Sequence, residues 1–146
     1  MSLGGVFDIA GMGMTAQSVR LNTTASNLAN AQAASGSANN VYRARHPVFE
    51  AVQREVALGT SGQMDFSNDA AMGLQVTDIV ESDAPLERRY EPQHPEADED
   101  GYVFYPNVNV VEEMADMISA SRSFQMNVEV MQSAKTMMQR VLQLGQ

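Results

Sequence analysis

Few residues of this 146-residue chain could do chemistry, and their spacing does not favour it. His46 and His94 each stand directly before a proline in a turn-like context. Neither has a cysteine or a suitably spaced carboxylate beside it, as a zinc site of three or four ligands requires. They read as turn histidines. Glu96, Asp98, Glu99 and Asp100 form the densest acidic run. A calcium loop needs alternating ligands, a glycine in the middle and a distal bidentate glutamate. Here Gly101 follows the acids and Glu112 arrives only after a strand-like stretch, so the run reads as a solvated acidic turn. Arg88 and Arg89, between Glu87 and Glu91, read as the charged face of a strand. The chain contains no nucleophile elbow, phosphate loop or dinucleotide fingerprint. The expectation is a protein without catalytic residues, metal or cofactor.

The helices that flank these residues carry a stronger pattern. Val110, Met117, Phe124, Met131 and Met138 recur in sevens, as do Met114, Ser121, Val128, Lys135 and Leu142. The two rows alternate by four and three residues, the spacing of a coiled-coil face. A helix from Val110 to Leu142 is roughly 50 Å long at ~1.5 Å per residue, and it needs other helices to lie against. Asn109 with Glu112 three residues on matches a capping box. Glu112, Glu113 and Asp116 suit the helix start, Lys135 and Arg140 lie toward the other end, and Gly145 is a stop signal.

At the other end Phe7, Met14, Leu21 and Leu28 also recur every seven residues, with Gly11, Ser18 and Ala25 filling the second row. This predicts a helix over Val6–Asn30. The two terminal helices can pair antiparallel within the chain or pack between chains. Eleven methionines favour surfaces that adapt to differing neighbours. Lys135, the polar member of its row, is expected to set register or pair with an acid on an adjacent chain. Asn27 and Asn30 are expected to fix the exit from the first helix or to contact a neighbouring subunit.

Between the helices, 31–40 is rich in Ala, Ser, Gly, Asn and Gln and reads as a flexible loop. Val48–Leu58 reads as a strand, Gly59–Gly62 as a turn, and Gln63–Met72 as an irregular polar loop. Gly73–Glu81 reads as a second strand with Leu74, Val76 and Val80 on one face. Leu86–Tyr90 and Tyr102–Tyr105 are short strands. The fold class is therefore α+β. Residues 1–41 hold the first helix and loop, 42–106 a small β-rich outer domain, and 107–146 the long helix, which pairs with the first as a coiled-coil-like inner layer.

A net charge of −9 argues against nucleic acid and anionic membrane as partners. No apolar run is long enough to insert in a bilayer. The first residues lack the basic start of a signal peptide, so none is expected. With no cysteine, disulfides and thiol chemistry are absent.

Ser26-Asn27-Leu28-Ala29-Asn30-Ala31, followed by Tyr42-Arg43-Ala44-Arg45, resembles the N-terminal signature of the bacterial flagellar axial proteins: rod, hook and hook-associated subunits. His94-Pro95 with Ala97-Asp98, Gly101-Tyr102-Val103, the stretch Pro106–Met114, Met117–Gln125 running into Asn127–Val130, and Leu144-Gly145-Gln146 resemble the proximal rod members of that family. The chain departs from them mildly, with Val41 where proline is common, Asn109 for aspartate and Phe124 for tyrosine. Residues 46–93 carry little of the resemblance.

The resemblance implies that the terminal helices form the inner tube of a rod crossing the periplasm and transmitting motor torque. It implies export through the flagellar type III apparatus without signal cleavage. Partners would be copies of the chain, other rod proteins, export-gate and rod-base components, and the distal rod. Phe7, Met14, Leu21, Asn27, Leu28, Asn30, Val110, Met114, Met117, Phe124, Val128, Met131, Lys135, Met138 and Leu142 are the expected assembly residues. Another axial subunit, or a cytosolic coiled-coil adaptor, stands as the alternative.

Overall fold

A computed structural model describes residues 3–53 and 72–144 of the chain. The order is α1 (Leu3–Asn30), β1 (Arg45–Gln53), β2 (Met72–Glu81), β3 (Glu87–Tyr90), β4 (Tyr102–Tyr105) and α2 (Val110–Leu144). The turn, the polar loop and the end of the first strand expected over 54–71 lie outside the described residues, as does Gly145.

The long helix starts where the sequence places its cap. The Asn109 side-chain oxygen accepts from the Val111 and Glu112 amides at 3.2 and 3.5 Å, and its carbonyl accepts from the Glu113 amide at 3.0 Å. This satisfies donors that the first turn otherwise leaves open. Asn109→Ala is expected to destabilise the fold by about 1 kcal/mol. Equilibrium urea unfolding followed by circular dichroism checks it, and an unchanged midpoint would show that the cap is dispensable.

The two helices run antiparallel, since Arg20 meets Asp116 and Asn27 meets Glu113. Among the described elements α2 packs only on α1, whereas α1 also carries the β1–β2 hairpin on another side. The middle of the chain forms two separate two-stranded antiparallel sheets, β1–β2 and β3–β4. Two-stranded ribbons need a packing partner to persist in water, and α1 serves β1–β2. The 31–40 segment read as a loop is tied to the second ribbon: Ser35 and Phe104 exchange both backbone hydrogen bonds, at 3.0 and 2.9 Å.

One strand face differs from expectation. Register runs Arg45↔Glu81 to Val48↔Asp78 and then jumps to Phe49↔Val76, so Thr77 is an extra residue in β2. A bulge of this kind reverses which side chains face a given side. Leu74 and Val76 line a groove against α1 with Phe7, Met12 and Val19. Beyond the bulge Ile79 and Glu81 line the crevice beside Asn22, Thr23 and Ser26, and Ile79 and Val80 are both exposed. Gly73 lies so near α1 that a side-chain carbon there would collide with the Met12 sulfur.

Among the described residues the buried set is small: Ala10, Ala16, Val41, Ala44, Gly73, Val103, Pro106, Ala120 and Ala134, with Thr23, Thr24, Asn27 and Glu113 among them. The largest fully buried side chains are Val103 and Asn27. A core of alanines around an asparagine leaves the large apolar residues elsewhere, and their location bears on function.

Candidate functional site

The rows that sequence spacing singles out are not the most buried line between the two helices. On α2 the most buried positions are Glu113, Ala120 and Ala134, spaced in sevens, with half-buried Asn127 completing the series. Since α1 is the one element against α2, this row faces α1. On α1 the facing positions Gly13, Arg20 and Asn27 also recur in sevens. The contact line is therefore heptad-spaced, but built from small and polar residues. Gly13 permits the close approach, because a Cβ built there lies 2.8 Å from the Asn127 side-chain nitrogen.

The large residues flank that line. Met117, Phe124 and Met131 are half-buried, as is Val128, while Val110, Met114, Lys135, Met138 and Leu142 are exposed. Exposed Val111, Ile118, Met126, Val130, Met137 and Val141 extend the apolar surface of α2. On α1, Phe7, Met14, Leu21 and Leu28 are each half-buried, and Ser18 and Ala25 are exposed. Phe7 lies in the groove beside the hairpin. The structure thus gathers the α2 candidates on a largely open face, leaves Lys135 at its edge, and seats Asn27 in the closed line.

Asn27 is wholly buried and spends its full hydrogen-bonding capacity. Its Nδ2 donates to the Arg45 carbonyl and to Glu113 Oε1, both at 2.8 Å. Its Oδ1 accepts from the Tyr42 hydroxyl at 2.8 Å and the Arg45 amide at 2.9 Å. One side chain thereby joins α1, the entry to β1 and the first turn of α2. Asn30 does less, donating to the Ser26 carbonyl of its own helix at 2.8 Å. Burial pushes the Glu113 carboxyl above its ordinary value; the hydrogen bond from Asn27 and the nearby His46 oppose this, and Asp116 and Glu112 add to it. Burial likewise raises the Tyr42 phenol, which stays a donor. Beside this cluster Arg20 and Asp116 pair at 2.7 Å, partly shielded.

A second asparagine escaped sequence reasoning. Asn107 Oδ1 accepts from the Ala44 amide at 2.8 Å, and its Nδ2 donates to the Ser82 and Ala84 carbonyls at 3.2 and 2.9 Å. It ties the approach to α2 to both strands of the first hairpin's base. The signal available was its place in the Pro106–Met114 stretch, which spacing rules do not score.

No described group of three or more His, Asp and Glu side chains is placed to hold a metal ion. In the acidic turn, Asp98 Oδ1 accepts from the Asp100 and Tyr102 amides at 3.0 and 2.7 Å. His94 Nδ1 accepts from the Glu96 amide at 3.1 Å. Among the described residues no helix is long and apolar enough to cross a membrane.

Two family descriptions match this arrangement at its ends. Residues 7–34 match the flagella basal body rod protein family, and residues 99–144 match the C-terminal region of the flagellar basal body rod FlgEFG proteins. Over its full length and theirs, the chain is 49% identical to flagellar basal-body rod protein FlgC of Escherichia coli O157:H7 and 47% identical to that of Salmonella typhimurium. The FlgC of Borreliella burgdorferi is 34% identical over 151 aligned residues, covering all of this chain and 99% of the relative.

Proposed function

Because the chain belongs to the FlgC family of flagellar basal-body rod proteins, and so is a structural subunit of the basal-body rod, we propose that it polymerises through its terminal helices into the proximal part of that rod. In this role it is a segment of the shaft that carries motor torque across the periplasm, and it encloses part of the export channel. Its neighbours are copies of itself, other rod proteins, export-gate and rod-base components below, and the distal rod above. It arrives through the flagellar type III apparatus without a cleaved leader, and its contribution is mechanical rather than catalytic.

The observation that carries this reading is the apolar surface that α2 leaves exposed along its length. Val111 and Leu142 are 77% and 66% exposed, with Met114, Ile118, Met126, Met137 and Val141 each half exposed or more between them. Each Å² removed from water there contributes about 25 cal/mol. Apolar surface exposed along a helix that is held on one side only is suited to packing against further helices. Neither the adaptor reading nor that of a different axial subunit has such support, since the relatives that match over the full length carry the FlgC name.

Cryo-electron tomography of motors tests the proposal. Cells lacking the chain are expected to keep the membrane ring and export gate but to lack a complete rod and hook. Restoring the natural chain should restore both, whereas a chain carrying Ile118→Asp and Met137→Asp should not. Complete rods and hooks in cells lacking the chain would reject a proximal structural role. Complete rods built with the double variant would reject the face as the contact.

A further inference from the structure

The geometry points to Asn27 and Glu113 as the residues that set the longitudinal register of the two terminal helices. The argument begins with the repeat on each helix. Glu113, Ala120, Asn127 and Ala134 succeed one another in sevens on α2, opposite Asn27, Arg20 and Gly13 on α1. Sliding one helix by a heptad, roughly 10.5 Å, would put Asn27 against Ala120 and Gly13 against Ala134. Those two pairs are small enough to fit, whereas Arg20 would stand against Asn127, which natively faces Gly13. Interlocking large side chains, which fix register in an ordinary coiled coil, are missing from this line because the large residues lie on its flanks.

The buried polar groups oppose the slip as well. In the slipped arrangement Asn27 faces Ala120 with an unmet amide donor, which is costly where it stays buried, and Glu113 passes beyond the end of α1 at Asn30 and loses its bond to Asn27. Arg20, paired with Asp116 at 2.7 Å, would face Ser123 instead. A buried polar residue as the determinant of register is the best-attested use of such groups. Lys135 lies exposed outside this line, where a role for it would be toward an adjacent chain. Register in turn fixes where the open face of α2 sits relative to the hairpin on α1. The inference concerns the chain's own helices and holds whatever that face binds.

The absence of cysteine makes the test direct. In the full chain, Gly13→Cys with Asn127→Cys reports the native register: a Cβ at Gly13 lies 3.2 Å from Asn127 Cγ, close enough for a disulfide. Gly13→Cys with Ala120→Cys, and with Ala134→Cys, report slips in either direction. Each pair is oxidised mildly and read as an intrachain cross-link, with helicity followed by circular dichroism. With Asn27 and Glu113 present, only the 13–127 pair should close efficiently.

In the double variant Asn27→Leu, Glu113→Leu, an apolar pair without directional information, helicity should persist. Closure of a slipped pair should then rise at least about tenfold, the change produced by losing about 1.4 kcal/mol of preference. Retained helicity with exclusive 13–127 closure would overturn the inference and place register in the Asn107 tether. Loss of helicity would overturn it too, because the pair would then be needed for helix association itself. Glu113→Gln, which keeps the acceptor for Asn27, should hold the native register; slippage there would also count against the inference.

Discussion

Asn27→Ala is expected to lower the stability of the folded chain by about 3–5 kcal/mol, the range for removing one partner of a buried polar cluster. The substitution deletes four hydrogen bonds at once. It leaves the Glu113 carboxyl, the Tyr42 hydroxyl and the backbone of Arg45 without their partner. Each orphaned group carries a desolvation penalty of about 1–3 kcal/mol, partly relieved where water can enter the gap. Thermal unfolding followed at a helical band should show a fall of roughly 10 °C or more for a chain of this size. Asn30→Ala is the internal control: it removes one bond within α1 and should cost no more than about 1 kcal/mol. Equal effects from the two substitutions would show that the cluster is not the keystone of the helix pair. The two asparagines look alike in the sequence, and only their packing separates them.

Glu113→Gln is expected to do the opposite at neutral pH and to stabilise the chain. Burial raises the Glu113 carboxyl above 4.5, its ordinary value. The folded state therefore binds that proton more tightly than the unfolded state does. Stability from this group is fully present below the unfolded value, and it is lost as pH rises through the raised folded value. Wherever that carboxyl ionises, the natural chain places a charge in the seam, whereas glutamine never has one and still offers an oxygen to Asn27. The melting temperatures of the two proteins should coincide near pH 4 and separate as pH rises, with the glutamine variant higher. His46 on β1 and Asp116 and Glu112 on α2 face the carboxyl in both proteins, so the difference isolates Glu113. A variant that melts below the natural chain at pH 7 would mean that the ionised carboxylate is needed in the seam.

Much of the architecture was legible in the sequence. The heptad spacing and the Asn109 signal place α2 from Val110, where the structure starts it, and Tyr102–Tyr105 is the same in both. Periodicity identifies helices well because it depends only on which residues share a side. It identifies contact lines poorly when the contacting residues are not the largest apolar ones. Ala120, Ala134 and Gly13 give almost no hydropathy signal, and Glu113 and Asn27 give the wrong one, so attention goes to the methionine rows beside them. The bulge at Thr77 was invisible for a related reason: it depends on pairing with β1, and a single strand carries no record of its partner. Asn107 looks like any polar residue before a helix until its three partners, Ala44, Ser82 and Ala84, are brought around it.

The bond between Asn27 and Glu113 spans 86 positions of the chain, which has a consequence for timing. A polypeptide that emerges from a narrow passage N-terminus first delivers Asn27 early and Glu113 only after three quarters of its length. Until then Asn27 has no carboxylate to meet, and α1 lacks the helix that covers it. A lone helix of that length is marginal in water, and contacts this distant close late because the intervening loop must be ordered first. The seam is thus a clock of sorts. It cannot set while the chain is still threading, and it sets once the last third has come through.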